Sequence, residues 1–230
     1  MRSGRPELVV FDFAGTTFLD DGAVVSAFRT ALDRHAIPAT DAEILARRGA
    51  SKSAVFHELA GRVASDAAER VALGAAALGT FEQALDAAYA GGPLAEVPGA
   101  GQAVATLRAA GLQVALTTGF ARALAQRLLQ RLGWDAAFDA VVCGDEVSAG
   151  RPAPYLIFES MIRCGAQDVR RVAVVGDTPL DLASAANAGA GWAIGVLTGA
   201  HGLRTLGRAP HTHLLASVAE VPELFGIANG

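Results

Sequence analysis

Lysine is almost absent from this chain: Lys52 stands alone beside 18 arginines. Where Arg fills nearly every cationic position, a retained Lys points to a task that a guanidinium cannot perform, such as imine formation, although sparing use of Lys by chance reads the same way. Cysteine is scarce too. Cys143 and Cys164 come without a CxxC pair or a neighbouring His cluster, which excludes a disulfide framework and a structural zinc site and leaves two reduced, buried thiols as the expectation. No stretch reaches the ~18 uninterrupted apolar residues that span a bilayer, and the opening MRSGRPELVVFD enters a strand pattern without an apolar leader. A cytoplasmic location and no membrane partner are expected. A net charge of −4, with no basic stripe and no alternation of basic and aromatic residues, gives nucleic acid no electrostatic footing. The five His residues sit near no GxSxG and at no metal-ligand spacing. Gly99-Ala100-Gly101 follows Pro98 rather than a strand, and Val104 stands where a dinucleotide fingerprint needs its third Gly.

What is present can build a full core: 230 residues at 52% hydrophobic content form one domain with an insert, or two small domains. The chain is organised around Leu8 to Thr17, LVVFDFAGTT, where an apolar run leads into Asp12 and then a small-residue turn. This reads as a buried parallel strand carrying a carboxylate to its C-terminal tip, where open α/β sheets place their chemistry. A single such Asp could equally cap a helix or form a turn. Three more strand-end signals favour a site. Leu112 to Thr118 ends on hydroxyls, Val141 to Arg151 ends near a lone cation, and Val172 to Asp181 ends on Asp177 and Asp181.

Between the first two core strands, the 3.6-residue period predicts helices at Ala23 to His35, Asp41 to Arg48 and Ser53 to Ala64. A longer one is marked by Leu78, Phe81, Leu85 and Tyr89, and Gly91-Gly92-Pro93 breaks the pattern. Downstream, helices at Gly99 to Ala110, Ala121 to Leu132, Pro154 to Arg163 and Leu180 to Ala188 alternate with strands at Leu112 to Thr118, Ala140 to Cys143, Arg171 to Val175 and Trp192 to Leu197. A short strand at His213 to Leu215 and a terminal helix at Val218 to Phe225 complete the chain. The expected fold class is α/β, a doubly wound parallel sheet with an inserted α-helical domain, divided as 1–17 with 93–230 for the core and 18–92 for the insert.

Asp12, Thr118, Arg151 and the pair Asp177/Asp181 resemble motifs I to IV of the haloacid dehalogenase superfamily. The resemblance implies a Rossmann-like core, a mobile helical cap at the position of the insert, an Asp12 nucleophile and Mg²⁺. The metal would be held by the Asp12 side chain, the backbone carbonyl of Ala14, Asp177, and Asp181 directly or through water. Asp181 could instead cap the helix that starts at Leu180. Thr118 would hydrogen-bond a phosphoryl oxygen, with Thr117 leaving the register open by one. Arg151, where most of the superfamily has Lys, would pair with the nucleophile and the phosphoryl group. Ala14, Gly15, Thr16, Thr117, Gly119 and, in the cap, Arg48 would contact substrate.

Ala14 departs from the superfamily's phosphatases, which usually carry there a second Asp that protonates the leaving alkoxide and then activates water. DFAGTT, TTGF, AGRP and GDTPLD together look like the phosphonoacetaldehyde hydrolase (phosphonatase) branch, in which a cap lysine forms a Schiff base with the substrate aldehyde. Lys52, in GASK, stands where that lysine is expected, and Arg47 and Arg48 beside it would favour its neutral amine. The match departs at Phe120, where phosphonatases carry Tyr, and at Val55, where they carry His, with His57 two positions on. The same residues fit a phosphate monoester phosphatase in which Lys52 grips a substrate carboxylate or phosphate. A non-catalytic scaffold is opposed by the retention of Asp12, Arg151 and Asp177, and dehalogenation by the intact metal-binding carboxylates, which a haloacid would not require. A small phosphorylated or phosphonate substrate is the expected partner; a homodimer through cap helices is implied at family level only.

Overall fold

The computed structural model describes residues 4–91 and 94–228. The chain divides into two compact units, Met1–Leu19 with Leu94–Gly230, and Asp20–Pro93. In chain order, β1 (Leu8–Asp12) precedes α1 (Ala23–Arg34), α2 (Asp41–Ala46), α3 (Lys52–Ala60) and α4 (Ala67–Ala90). Then come α5 (Ala100–Ala109), β2 (Gln113–Thr117), α6 (Arg122–Leu132), β3 (Ala140–Val142), α7 (Tyr155–Cys164) and β4 (Val172–Gly176). The last elements are α8 (Pro179–Ala188), β5 (Trp192–Val196), α9 (Leu203–Leu206), β6 (His213–Leu215) and α10 (Val221–Leu224).

The first unit is built on one six-stranded parallel sheet in the order β3-β2-β1-β4-β5-β6. Strands β1, β4 and β5 are buried along their whole length, as apolar runs are when helices cover both faces of a parallel sheet. Chain order reverses on either side of β1, which lies between β2 and β4, so a topological switch point falls at its tip. Register decides what meets there. Asp12 stands opposite Thr117, and Phe11 opposite Val175, so Gly176 and Asp177 follow immediately beside the Asp12 tip.

The second unit is helical. Phe28, Phe56 and Phe81, from α1, α3 and α4, are fully buried with ring centroids 4.8–5.5 Å apart, and burying such a ring is worth about 1.5–3 kcal/mol over leaving it exposed. Gly74 sits inside α4 because a Cβ there would lie 3.0 Å from the His57 Cα. Thr40 and Glu43 form a capping box on α2, and Asp66 caps α4. Among the described residues no helix is long and apolar enough to cross a membrane.

Several ends differ from the periodicity. Helix α3 begins at Lys52 rather than Ser53, because the Ser51 hydroxyl accepts from Ala54 N as its N-cap, and it stops at Ala60. Helix α2 stops at Ala46, and the chain runs through turns closed by Arg48 N to Leu45 O and Ala50 N to Arg47 O. The terminal segment is a 3-10 turn at Val218–Glu220 followed by α10, with Pro222 in its first turn. Gly91 caps α4, while Gly92 and Pro93 lie outside the described residues.

Candidate active site

Five buried polar side chains meet at the tips of β1, β2 and β4 and the loops beyond them: Asp12, Thr117, Arg151, Asp177 and Asp181. Asp12 ends β1, and the turn after it is closed by three amides, those of Thr16, Thr17 and Phe18, donating to the Phe13 carbonyl. Ala14 bridges to Phe18, and the Phe13 and Phe18 rings pack at 4.5 Å beneath that turn. Thr17 Oγ1 donates back to the carbonyls of Asp12 and Phe13, which holds the Asp12 end of the strand against its own turn.

Arg151 is 6% exposed and touches three of the tips. Its Nη2 lies 2.9 Å from Asp12 Oδ1 and donates to Thr117 Oγ1 at 2.7 Å, and its Nε lies 2.7 Å from Asp181 Oδ1. Burial alone would lower its pKa, but Asp181, Asp12 and Asp177 more than reverse that, so the guanidinium stays charged. Burial, reinforced by Asp181 and Asp177 and opposed by Arg151, lifts the Asp12 carboxyl well above the ordinary carboxylate range.

Asp177 is held from two sides: Thr16 Oγ1 donates to its Oδ1 at 3.2 Å, and Ala200 N to its Oδ2 at 2.8 Å. Of the two roles open to it, Asp181 fills the capping one. Its Oδ2 accepts from Thr178 N and Oγ1 in a capping box at the start of α8, while Oδ1 faces Arg151. That Oδ1 is buried and takes no hydrogen bond. Ligand atoms of Asp12, Asp177 and Asp181 lie within 4.8 Å of one another. Three carboxylates around one point, one of whose oxygens is ion-paired to Arg151 without a hydrogen bond, are a donor set suited to a hard divalent cation.

Thr117 both donates to Phe11 O and accepts from Arg151, so its hydroxyl is spent on the scaffold. Thr118 is the first residue past β2; its Oγ1 accepts from Phe120 N and keeps a proton to donate. Gly119 follows in the same turn, where its carbonyl would lie 2.8 Å from a Cβ on Gly144. Phe120 is 4% exposed and packs edge-on against Phe13. Not anticipated was the loop after β5. Thr198 Oγ1 donates to Gly15 O at 3.0 Å, and Gly199 lies so close to Asp177 that a Cβ there would be 1.9 Å from Oδ2. Gly15 faces the same carboxylate, at φ +92° and with a Cβ position 2.6 Å from Oδ2. Thr198-Gly199-Ala200 directly after an apolar strand carries the same strand-then-small-turn signal as Leu8 to Thr17.

Within the helical unit, Lys52 is 5% exposed at the first turn of α3. Its Nζ donates to the carbonyls of Arg48 and of Ala50, the latter at 2.9 Å, and lies 5.5 Å from the Phe28 ring centroid. The Arg48 guanidinium pairs with Asp20 Oδ2 at 2.5 Å, and Arg47 pairs with Glu58 at 2.7 Å. Val55 is buried and His57 exposed, so the histidine is not on the buried face of α3 that carries Lys52 and Val55.

Known proteins place this arrangement. A phosphonoacetaldehyde hydrolase of Parabacteroides distasonis is 36% identical over 108 residues, which span 46% of this chain and 40% of that protein. The chain thus aligns with well under half the length of such relatives. A probable phosphatase, IndB, of Dickeya dadantii is 33% identical over 215 residues, covering 93% of this chain and 91% of its own. Among solved structures, a hydrolase from Pseudomonas syringae superposes with a TM-score of 0.81 at 25% identity, covering 96% of this chain and 99% of that one. A phosphonoacetaldehyde hydrolase-like protein from Oleispira antarctica gives 0.81 at 20% identity, over 97% and 92%, and shares the fold. The haloacid dehalogenase-like hydrolase family matches residues 6–189, and by that match and the Dickeya relative's near full-length alignment this chain belongs to it.

Proposed function

We propose that this hydrolase cleaves the carbon–phosphorus bond of phosphonoacetaldehyde or a close analogue. The observation that carries the reading is the side chain at position 14: two residues after Asp12 stands a methyl group where an alkoxide leaving group would need a proton donor. The other carboxylates beside Asp12 are engaged, Asp177 by Thr16 and Ala200, and Asp181 by Thr178 and Arg151. A reaction that avoids an alkoxide fits such a site, and the chain's single lysine supplies one.

In this reading the Lys52 amine adds to the aldehyde carbon and water leaves, giving an iminium. The Asp12 carboxylate attacks phosphorus, the C–P bond breaks, and its electron pair moves into the iminium to give a neutral enamine. Arg151 holds Asp12 and the phosphoryl oxygens, and the Thr118 hydroxyl donates to one of them. Water hydrolyses the aspartyl phosphate to inorganic phosphate; the enamine takes a proton on carbon, and a second water frees the aldehyde and Lys52. Asp12, Asp177, Asp181 and the Ala14 carbonyl would hold Mg²⁺, which neutralises phosphoryl charge when bound. Gly15, Thr16 and Gly119 line the phosphorus end.

The full-length likeness to a probable phosphatase supports a second reading, hydrolysis of a small phosphate monoester with Lys52 as a substrate-gripping cation. One experiment separates them. Protein, Mg²⁺ and phosphonoacetaldehyde are incubated with and without borohydride, and intact mass and released phosphate are read for the wild type and Lys52→Arg. Turnover with a trapped adduct, both lost in the variant, supports C–P cleavage. Failure of both, with an aryl phosphate hydrolysed in an Asp12-dependent way, sinks it in favour of the monoesterase.

A further inference from the structure

In the helical unit the Arg48–Asp20 pair belongs to a larger buried polar cluster. The Asp20 carboxylate is fully buried and receives three donors: Arg48 Nη2 on Oδ2 at 2.5 Å, and on Oδ1 the Tyr89 hydroxyl at 2.9 Å and Val24 N at 3.2 Å. Burial, with the Asp20 charge added, pushes the Tyr89 phenol upward, so it keeps the proton it donates. The Arg48 side chain is 10% exposed. A buried ion pair of this kind costs desolvation on both sides and is a poor device for stability alone, so what it fixes in place matters.

It fixes the turn that holds Lys52. Arg48 is pinned by its side chain to Asp20, and its backbone carbonyl accepts from Lys52 Nζ; Ala50, tied to Arg47 O in the same turn, offers the second carbonyl. Two of the three anchors come from the ends of the unit: Asp20 is its first residue, and Tyr89 lies in the last turn of α4. We propose that Asp20, Arg48 and Tyr89 are positioning residues for Lys52, forming a clasp that presents the 48–51 turn so that its carbonyls aim the amine. The inference rests on the imine reading for its purpose, but the geometry it describes is independent of phosphorus chemistry.

The single lysine makes the test direct, because protein grown on ¹³C-lysine shows one Lys side-chain signal. Asp20→Asn leaves a buried guanidinium without its counter-charge and strains the fold, so Tyr89→Phe, which removes one hydroxyl and keeps the ring, is the second variant. Asp66→Ala is the control: it removes the α4 cap and touches none of these groups. The expected result is a Lys52 Cε–Hε signal displaced from its buried position toward that of free lysine in Tyr89→Phe and, where folded, in Asp20→Asn, and unmoved in Asp66→Ala. In parallel, trapping of a small aldehyde on Lys52 by cyanoborohydride slows roughly tenfold in the clasp variants, the scale on which supporting partners usually act. An unmoved signal and an unchanged trapping rate in Tyr89→Phe overturn the proposal. If the wild type traps no aldehyde while the signal still moves, the clasp stands and the imine reading falls.

Discussion

At the scale of single residues, the site is set by close approach to carboxylates. Gly199 is the sharpest case, since a Cβ there would fall 1.9 Å from Asp177 Oδ2 and 2.3 Å from its Cγ, contacts that only a shift of Asp177 can relieve. Gly199→Ala is therefore expected to keep the fold by circular dichroism and to weaken Mg²⁺ binding, read by calorimetry, about 10–100-fold. Gly202→Ala, where a Cβ would meet nothing within 4 Å, is the matched control. Equal affinity in both variants would show that Asp177 is not a ligand. The thiols give a second prediction. Cys143 is buried as expected, whereas Cys164 is only half-buried; burial pushes the first up to about 12, against Arg122, and the second up to about 11. Raised thiol pKa means less thiolate, about one part in ten thousand and one in a thousand at pH 8. Iodoacetamide at pH 8 should leave both intact in the native protein and alkylate both in urea; native alkylation of Cys143 would contradict its burial. A thiol this protonated is also a poor metal ligand, although it lies near Asp145 and Glu146.

At the scale of elements, α8 shows how a cap becomes part of a site. Thr178 is its N-cap, Pro179 opens its first turn, and Asp181 returns the cap's hydrogen bonds while presenting its other oxygen to Arg151. Thr178→Ala should cost about 1 kcal/mol in urea unfolding, and Thr178→Ser should restore most of it. A loss below about 0.3 kcal/mol would mean that the box does not organise Asp181. The sheet was legible because β1, β2, β4 and β5 are apolar runs ending in small or polar residues, and Asp12, Arg151, Asp177 and Asp181 were picked out by four such strand-end signals falling in order, together with the motifs they resemble. Helix ends were less so. Ser51-Lys52-Ser53 offers two cap candidates, and only the hydrogen bond from Ala54 N selects Ser51. At four residues α9 is too short to show a period, and Pro222 splits the terminal segment. Asp20 and Tyr89 were hidden for another reason: Asp20-Asp21-Gly22 has the composition of a turn, and Tyr89 sits on the apolar stripe of α4, so only tertiary contact joins them.

At the scale of the molecule, the two halves of the proposed chemistry would be carried by different units. Asp12, Asp177 and Asp181 lie in Met1–Leu19 with Leu94–Gly230, whereas Lys52 and the residues of the proposed clasp lie in Asp20–Pro93. Each unit has its own core, the sheet's apolar strands in one and the Phe28, Phe56 and Phe81 rings in the other. The sheet unit is also the more non-local, since β1 pairs with β2 and β4, and those strands follow the whole insert in sequence. A ligand that binds only the folded sheet unit stabilises it by mass action, about 2.7 kcal/mol at a Mg²⁺ concentration a hundredfold above Kd. Amide exchange should then slow by up to about a hundredfold in β1, β4 and α8 when Mg²⁺ replaces EDTA, and remain unchanged in α1, α3 and α4. Equal slowing in both units would mean that they open as one cooperative body. No slowing anywhere, in the wild type as in Asp177→Asn, would argue against a metal at these carboxylates and take with it the electrostatic basis of the proposed attack by Asp12.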